Sequence, residues 1–316
     1  MRDLLGLGPQ VDPMTAWTAL PAGVYPALAT PLTETGRLSE AALDALTDRV
    51  IDDGVTGIAV LGSTGEVSGL APEMRDAVQR RVQERANGRV PVLSGVAYTV
   101  VDRIRAGLEA AGANGMAAAL VPPPFYYPMG PSEVARFYTD LADRSPIPLV
   151  LYNIPPYTKV ELSVEVVRDL AAHPRIIGLK DSGGRFLYLQ ELLSATRGQA
   201  FTVVTGSDEM LLASLAVGAA GTICAAANAV APFQVAIIRH YQAGRLDAAR
   251  NLQERLMALV NVCRRHGGYK AWKAILELQG FTPCRVAAPY EDVSEASRTV
   301  LQEALRALGS AEDVGA

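Results

Sequence analysis

Short runs of Val, Ile and Leu recur along this chain, each followed by a longer stretch whose apolar positions fall every three or four residues. The first pattern is that of a buried parallel strand, and the second that of an amphipathic helix. The strand-like runs are Val24 to Ala27, Gly57 to Leu61, Val90 to Val96, Gly115 to Val121, Pro148 to Tyr152, Ile176 to Lys180, Phe201 to Thr205 and Gly221 to Cys224. Helical stretches lie between them at Ser39 to Asp52, Ala71 to Ala86, Val101 to Ala111, Pro131 to Asp143, Ser163 to Ala172, Phe186 to Ala195 and Glu209 to Val217. Each is long enough to carry the chain back across a sheet. Parallel strands covered in this way either close into a barrel or remain an open sheet. Eight consecutive units with no early G-x-G-x-x-G predict an α/β fold of the (β/α)8 TIM barrel type.

The pattern becomes wholly helical from about Ala231 to Gly280, and EASRTVLQEALRAL predicts one more helix after Tyr290. We therefore expect a catalytic barrel over residues 20–235 and a C-terminal helical extension over 236–310 packed on it. The polar end GSAEDVGA is expected to fray.

Composition narrows the function. The 316 residues carry 33 acidic and 29 basic side chains, a formal charge of -4, so no basic field favours nucleic acid or an anionic membrane. The longest apolar runs are broken by Pro or Gly well short of the roughly 20 residues that span a bilayer. The opening MRDLLGLGPQVDPMTAWTALPAG lacks a sustained apolar core, so it does not read as a secretory signal and a cytoplasmic protein is expected. Cys224, Cys263 and Cys284 form no CxxC and lie near no metal-ligand cluster, and His173, His240 and His266 are far apart. Neither a metal nor a cofactor is expected.

Chemistry in such a barrel sits at the carboxyl ends of the strands. Lys180 closes the run IIGLK, in a desolvated setting that suits a nucleophilic amine, although an ion pair with Asp181 would also explain it. One strand earlier PLVLYN ends in Tyr152, whose phenol reads as aromatic packing when taken alone and as a proton relay when set beside Lys180. After the second strand, GSTGE supplies Gly62, Ser63 and Thr64, whose N–H groups and hydroxyls can hold a small carboxylate; a plain structural turn is the other reading. Glu66 fits a brace for this loop. The stiff PPPFYYP segment projects Tyr126 or Tyr127 over an opening or into a neighbouring subunit, or simply packs them. Gly206 and Ile223 stand where backbone can contact a ligand, and Gly206 can equally serve only a turn.

The ordered set GSTGE, PPPFYYP, YNIP and GLKDSGG resembles the dihydrodipicolinate synthase and N-acetylneuraminate lyase family of class I aldolases, from about Val24 through Pro283. The resemblance implies that Lys180 forms a Schiff base with C2 of pyruvate or another 2-oxo acid, that Tyr152 relays protons and that Ser63 and Thr64 bind the carboxylate. It also implies that Tyr126 joins the relay or reaches across a tight dimer, and that the assembly is a homodimer or homotetramer. YNIPPYTK places Tyr157 where the synthases commonly carry an arginine, and Lys159 cannot reproduce that bidentate fork. GSTGE looks like the sialic-acid lyase version of the loop, whereas KDSGG, SPIPLVLY, GTICAAANAV and PCR are similar to the 4-hydroxy-2-oxoglutarate aldolase branch. The implied activity is cleavage or formation of a 4-hydroxy-2-oxo acid, with pyruvate and an aldehyde as partners. Synthase-like, sialic-acid lyase-like and 2-keto-3-deoxy sugar-acid dehydratase activities are the alternatives, and a noncatalytic oxo-acid-binding barrel is the most distant one.

Overall fold

The computed structural model describes residues 17–311, so the reading of a non-secretory start and that of a fraying tail fall largely outside the described residues. Eight strands form one parallel sheet: β1 (Gly23–Pro26), β2 (Ile58–Val60), β3 (Val92–Gly95), β4 (Ala118–Val121), β5 (Leu149–Asn153), β6 (Ile176–Asp181), β7 (Thr202–Thr205) and β8 (Gly221–Cys224). Their hydrogen-bonded order runs β1-β8-β7-β6-β5-β4-β3-β2. The remaining seam is joined by a bridge between Ala27 and Ala59, with the Leu28 N–H donating to the Ala59 carbonyl at 2.8 Å. The sheet is thus a nearly closed (β/α)8 barrel, as expected.

The crossover helices are α1 (Glu40–Asp52), α2 (Pro72–Ala86), α3 (Val101–Ala113), α4 (Pro131–Arg144), a short turn α5 (Pro155–Thr158), α6 (Val164–Leu170), α7 (Phe186–Ala195), α8 (Leu211–Ala216) and α9 (Ala227–Gln242). Proline at the first position starts α2 and α4, where its missing N–H costs nothing. The Ser163 hydroxyl caps α6 by accepting from the Val166 N–H. After α9, the helix that follows β8, come α10 (Leu246–Arg265), α11 (Tyr269–Leu278) and α12 (Glu295–Leu308), the extra helices that the sequence pattern predicts.

Alternation along the strands divides the core. Inward positions Tyr25, Ala27, Ala59, Leu93, Ala118, Leu120, Val150, Tyr152, Val204 and Ile223 fill the barrel, with Leu20 stopping its floor. Leu20 is pinned there by its N–H on the Ile177 carbonyl at 3.1 Å. Outward residues such as Ile58, Val60 and Val92 pack under the helices in a second layer. Each such side chain contributes about 1.5–3 kcal/mol when fully buried. The observed strands are mostly shorter than the apolar runs. Leu61, read as the end of the second strand, instead turns into the left-handed region at φ +57° and starts the loop that follows.

Candidate active site

The site begins with two adjacent strands. Pairing of β5 with β6 sets Tyr152 opposite Lys180 and Asn153 opposite Asp181, so the first pair faces the barrel interior and the second the helical layer. The Lys180 Nζ lies 4.5 Å from the centroid of the Tyr152 ring, and both residues are buried. The Tyr152 hydroxyl is 3.4 Å from the Ser63 Oγ and also interacts with Ser182 and Lys180. Burial alone would push this phenol up. The positive charge of Lys180 and hydrogen bonds from Ser63, Ser182 and Lys180 outweigh it, leaving the hydroxyl more acidic than an ordinary tyrosine.

Asp181 does not pair with Lys180. Its Oδ1 accepts from the Asn153 amide at 2.8 Å and from the Gly183 N–H at 3.0 Å, while burial raises its pKa. Asn153 in turn accepts from the Leu162 N–H at 3.1 Å. This outward pair locks the exits of β5 and β6 together, which fixes the height of the two inward side chains.

Across the mouth, residues 61–66 form an arch. Its ends, Leu61 and Glu66, are both left-handed at φ +57°. Inside it the Glu66 N–H donates to the Ser63 carbonyl at 3.1 Å and the Val67 N–H to the Gly62 carbonyl at 3.3 Å. Thr30 donates to the Gly65 carbonyl at 2.8 Å, and a Cβ at Gly65 would stand 2.8 Å from the Leu28 carbonyl oxygen, so only glycine lets the arch sit this low. Among the described residues the N–H groups of Ser63 and Thr64 make no backbone hydrogen bond. Those two N–H groups and two hydroxyls can donate together to a small anion. The Glu66 carboxylate turns away from the mouth, into a buried contact with Lys273 and the Ala287 N–H.

Gly206 serves the lysine directly: a Cβ there would stand 2.7 Å from the Lys180 Cε and 2.0 Å from the Ser182 Oγ. Ile223 is an inward residue of β8 in the barrel layer that holds Tyr152. Tyr126, by contrast, is 80% exposed at φ +94° and stacks edge-on against Tyr127 with ring centroids 5.0 Å apart. Tyr157 is 66% exposed on α5. The structure therefore brings Lys180, Tyr152, Ser63 and Gly206 together and leaves Tyr126 and Tyr157 as exposed side chains. Ser182 and Asn153 are additions that the sequence reading does not single out.

A profile of the Dihydrodipicolinate synthetase family matches residues 20–308. The chain belongs to that family. It is 33% identical over 288 residues to the 4-hydroxy-tetrahydrodipicolinate synthase of Methanoculleus marisnigri, covering 90% of this chain and 98% of that one. Identity is also 33% over 284 residues to the N-acetylneuraminate lyase of Rhizobium meliloti, covering 90% and 94%. Among solved structures, a prophage protein of the dihydrodipicolinic acid synthase family from E. coli K12, in complex with pyruvate, superimposes with a TM-score of 0.88 at 28% identity, covering 92% and 99%. As a member of the dihydrodipicolinate synthetase family, the chain is a pyruvate-dependent class I aldolase or lyase. Among the described residues, no helix is long and apolar enough to cross a membrane.

Proposed function

We propose that the protein reversibly cleaves a 4-hydroxy-2-oxo acid to pyruvate and an aldehyde. The observation that carries this reading is the Tyr152 phenol, made acidic between Lys180 and two serine hydroxyls. In the proposed sequence the Lys180 amine attacks C2 of the oxo acid, water leaves, and a protonated imine forms. The Tyr152 oxygen takes the proton of the C4 hydroxyl as the C3–C4 bond breaks, and the bond electrons pass into the imine to give an enamine and the free aldehyde. Protonation at C3 and hydrolysis then release pyruvate and restore the amine. The arch holds the C1 carboxylate through Ser63 and Thr64. Tyr126 and Tyr157 are assigned to the rim, where the aldehyde portion or a second subunit meets them. The assembly proposed is a homodimer or homotetramer.

The aldehyde is proposed to be hydroxylated rather than carboxylated, because Lys159 at the end of α5 and Arg185, the partner of Glu161 just after it, both hold contacts within the chain. Lys159 donates to the Pro156 carbonyl at 2.8 Å, and Arg185 pairs with Glu161 at 2.8 Å. On this reading a sugar-derived 4-hydroxy-2-oxo acid is proposed ahead of 4-hydroxy-2-oxoglutarate, whose cleavage would release glyoxylate. The test is intact mass and peptide mapping after incubation with pyruvate and borohydride. One pyruvyl adduct at Lys180, lost in Lys180→Ala, is the expected result; an undiminished adduct in that variant would sink the assignment. A substrate screen then reads products: pyruvate plus aldehyde is expected, and retention of every substrate carbon in one product would overturn cleavage in favour of dehydration.

A further inference from the structure

The arch that carries Ser63 and Thr64 is not held by the barrel alone. It begins and ends in left-handed, non-glycine residues, a conformation that persists only where the surroundings over-determine it. At the far end those surroundings are α11 and the segment that joins it to α12. The Glu66 Oε1 takes a charged hydrogen bond from the Lys273 Nζ of α11, and its Oε2 accepts from the Ala287 N–H at 2.7 Å. These partners lie 207 and 221 residues along the chain. The Lys273 side chain is 1% exposed and that of Glu66 is 5% exposed, so two full charges are taken out of water to make this contact.

Stability is a weak reason for such an arrangement, because an apolar pair of similar size commonly matches or exceeds a buried ion pair. Definition of geometry is a stronger one. The two oxygens of Glu66 are gripped from separate segments, which fixes the side chain at the residue where the arch leaves the mouth. The middle of the same arch places the Ser63 Oγ beside the Tyr152 hydroxyl. A shift at Glu66 is therefore transmitted through Gly65 and Thr64 to the free N–H groups.

We infer that Glu66 and Lys273 are positioning residues for substrate-carboxylate recognition: a buried clamp from α11 sets the arch, so that selectivity for a carboxylate at the mouth depends on a side chain of the C-terminal helices. This rests on the reading of the arch as the carboxylate site. Neither residue touches the substrate.

The experiment titrates the full-length protein with pyruvate and with pyruvamide, its uncharged analogue, under borohydride, and reads the concentration that gives half attachment from intact mass. The wild type is expected to prefer pyruvate. Lys273→Met should shrink that preference by about tenfold or more through pyruvate alone, as misplaced contacts do, while pyruvamide attachment and cooperative melting are retained. If the single variant does not fold, Glu66→Gln combined with Lys273→Met carries the test, since it leaves no unpaired buried charge. Equal weakening of both ligands, or an unchanged preference, overturns the inference alone. Absence of any adduct at Lys180 in the wild type sinks the lyase reading, and this inference with it.

Discussion

Two tyrosines point into the same barrel, one near its floor and one at its mouth, and their phenols are driven in opposite directions. Tyr25 on β1 donates to the Pro21 carbonyl at 2.8 Å, and burial pushes its hydroxyl far above the ordinary tyrosine value. Tyr152 on β5 is just as enclosed, yet its hydroxyl falls below that value because Lys180, Ser63 and Ser182 favour the charged form. Enclosure is common to both; the partners differ. A carbonyl can only accept, so it stabilises the neutral phenol, whereas an ammonium and two hydroxyls stabilise the phenolate. The floor tyrosine is thus a structural donor, and on the proposed chemistry the mouth tyrosine takes a proton.

The sharpest way to break this contrast is Tyr152→Phe. Turnover of the cleaved oxo acid should fall by about 10²–10⁴-fold, the usual worth of a positioned acid-base group, while pyruvate still attaches to Lys180 under borohydride. Equal turnover in variant and wild type would remove Tyr152 from the chemistry.

Ser182→Ala should have a smaller effect of diagnostic shape. A hydroxyl that favours the phenolate is lost, so the pKa of Tyr152 rises, and the ascending limb of the pH–rate profile moves to higher pH. The limb lies below the ordinary tyrosine value in the wild type and approaches it in the variant. A profile displaced to lower pH would contradict the assigned role of Ser182.

Tyr25→Phe should be the mildest. It leaves the Pro21 carbonyl without its donor, a loss of about 1 kcal/mol read in a thermal or urea melt. The pH–rate profile should keep its shape, because nothing at the floor faces the reacting groups. A change in that profile would show that floor and mouth are coupled.

Much of this contrast was legible in the residues. The runs PLVLYN and IIGLKD are buried on both faces, so periodicity reveals them as neighbouring strands, and the chemistry-bearing residue at each exit then follows from alternation. Seven helical stretches between eight strand-like runs make the barrel readable for the same reason. Other features depend on contacts that no local pattern encodes. Ser182 follows the strand in a stretch, DSGG, that reads as a polar turn, and its place beside Tyr152 depends on how β5, β6 and the β7 exit fit together. Gly206 invites a ligand-contact reading, and no local pattern shows that its lack of a Cβ also makes room for the Lys180 stem. Lys273 lies in the amphipathic YKAWKAILEL, where a lysine ordinarily marks the wet face, and its acidic partner is more than half the chain away. The apolar side chain of Leu61 prolongs the second strand-like run beyond the true end of β2, whereas the left-handed turn it makes is imposed by tertiary packing.

The stopper at Leu20 has a kinetic meaning. With Leu20 and Tyr25 filling the floor, traffic between site and solvent runs through the mouth, and the two fragments of a cleaved oxo acid must queue. On the proposed chemistry pyruvate is tethered at Lys180, deeper than the aldehyde, so the aldehyde departs first and, in the synthetic direction, arrives second. Product inhibition should then carry the signature of an ordered mechanism, with the ketone partner always innermost.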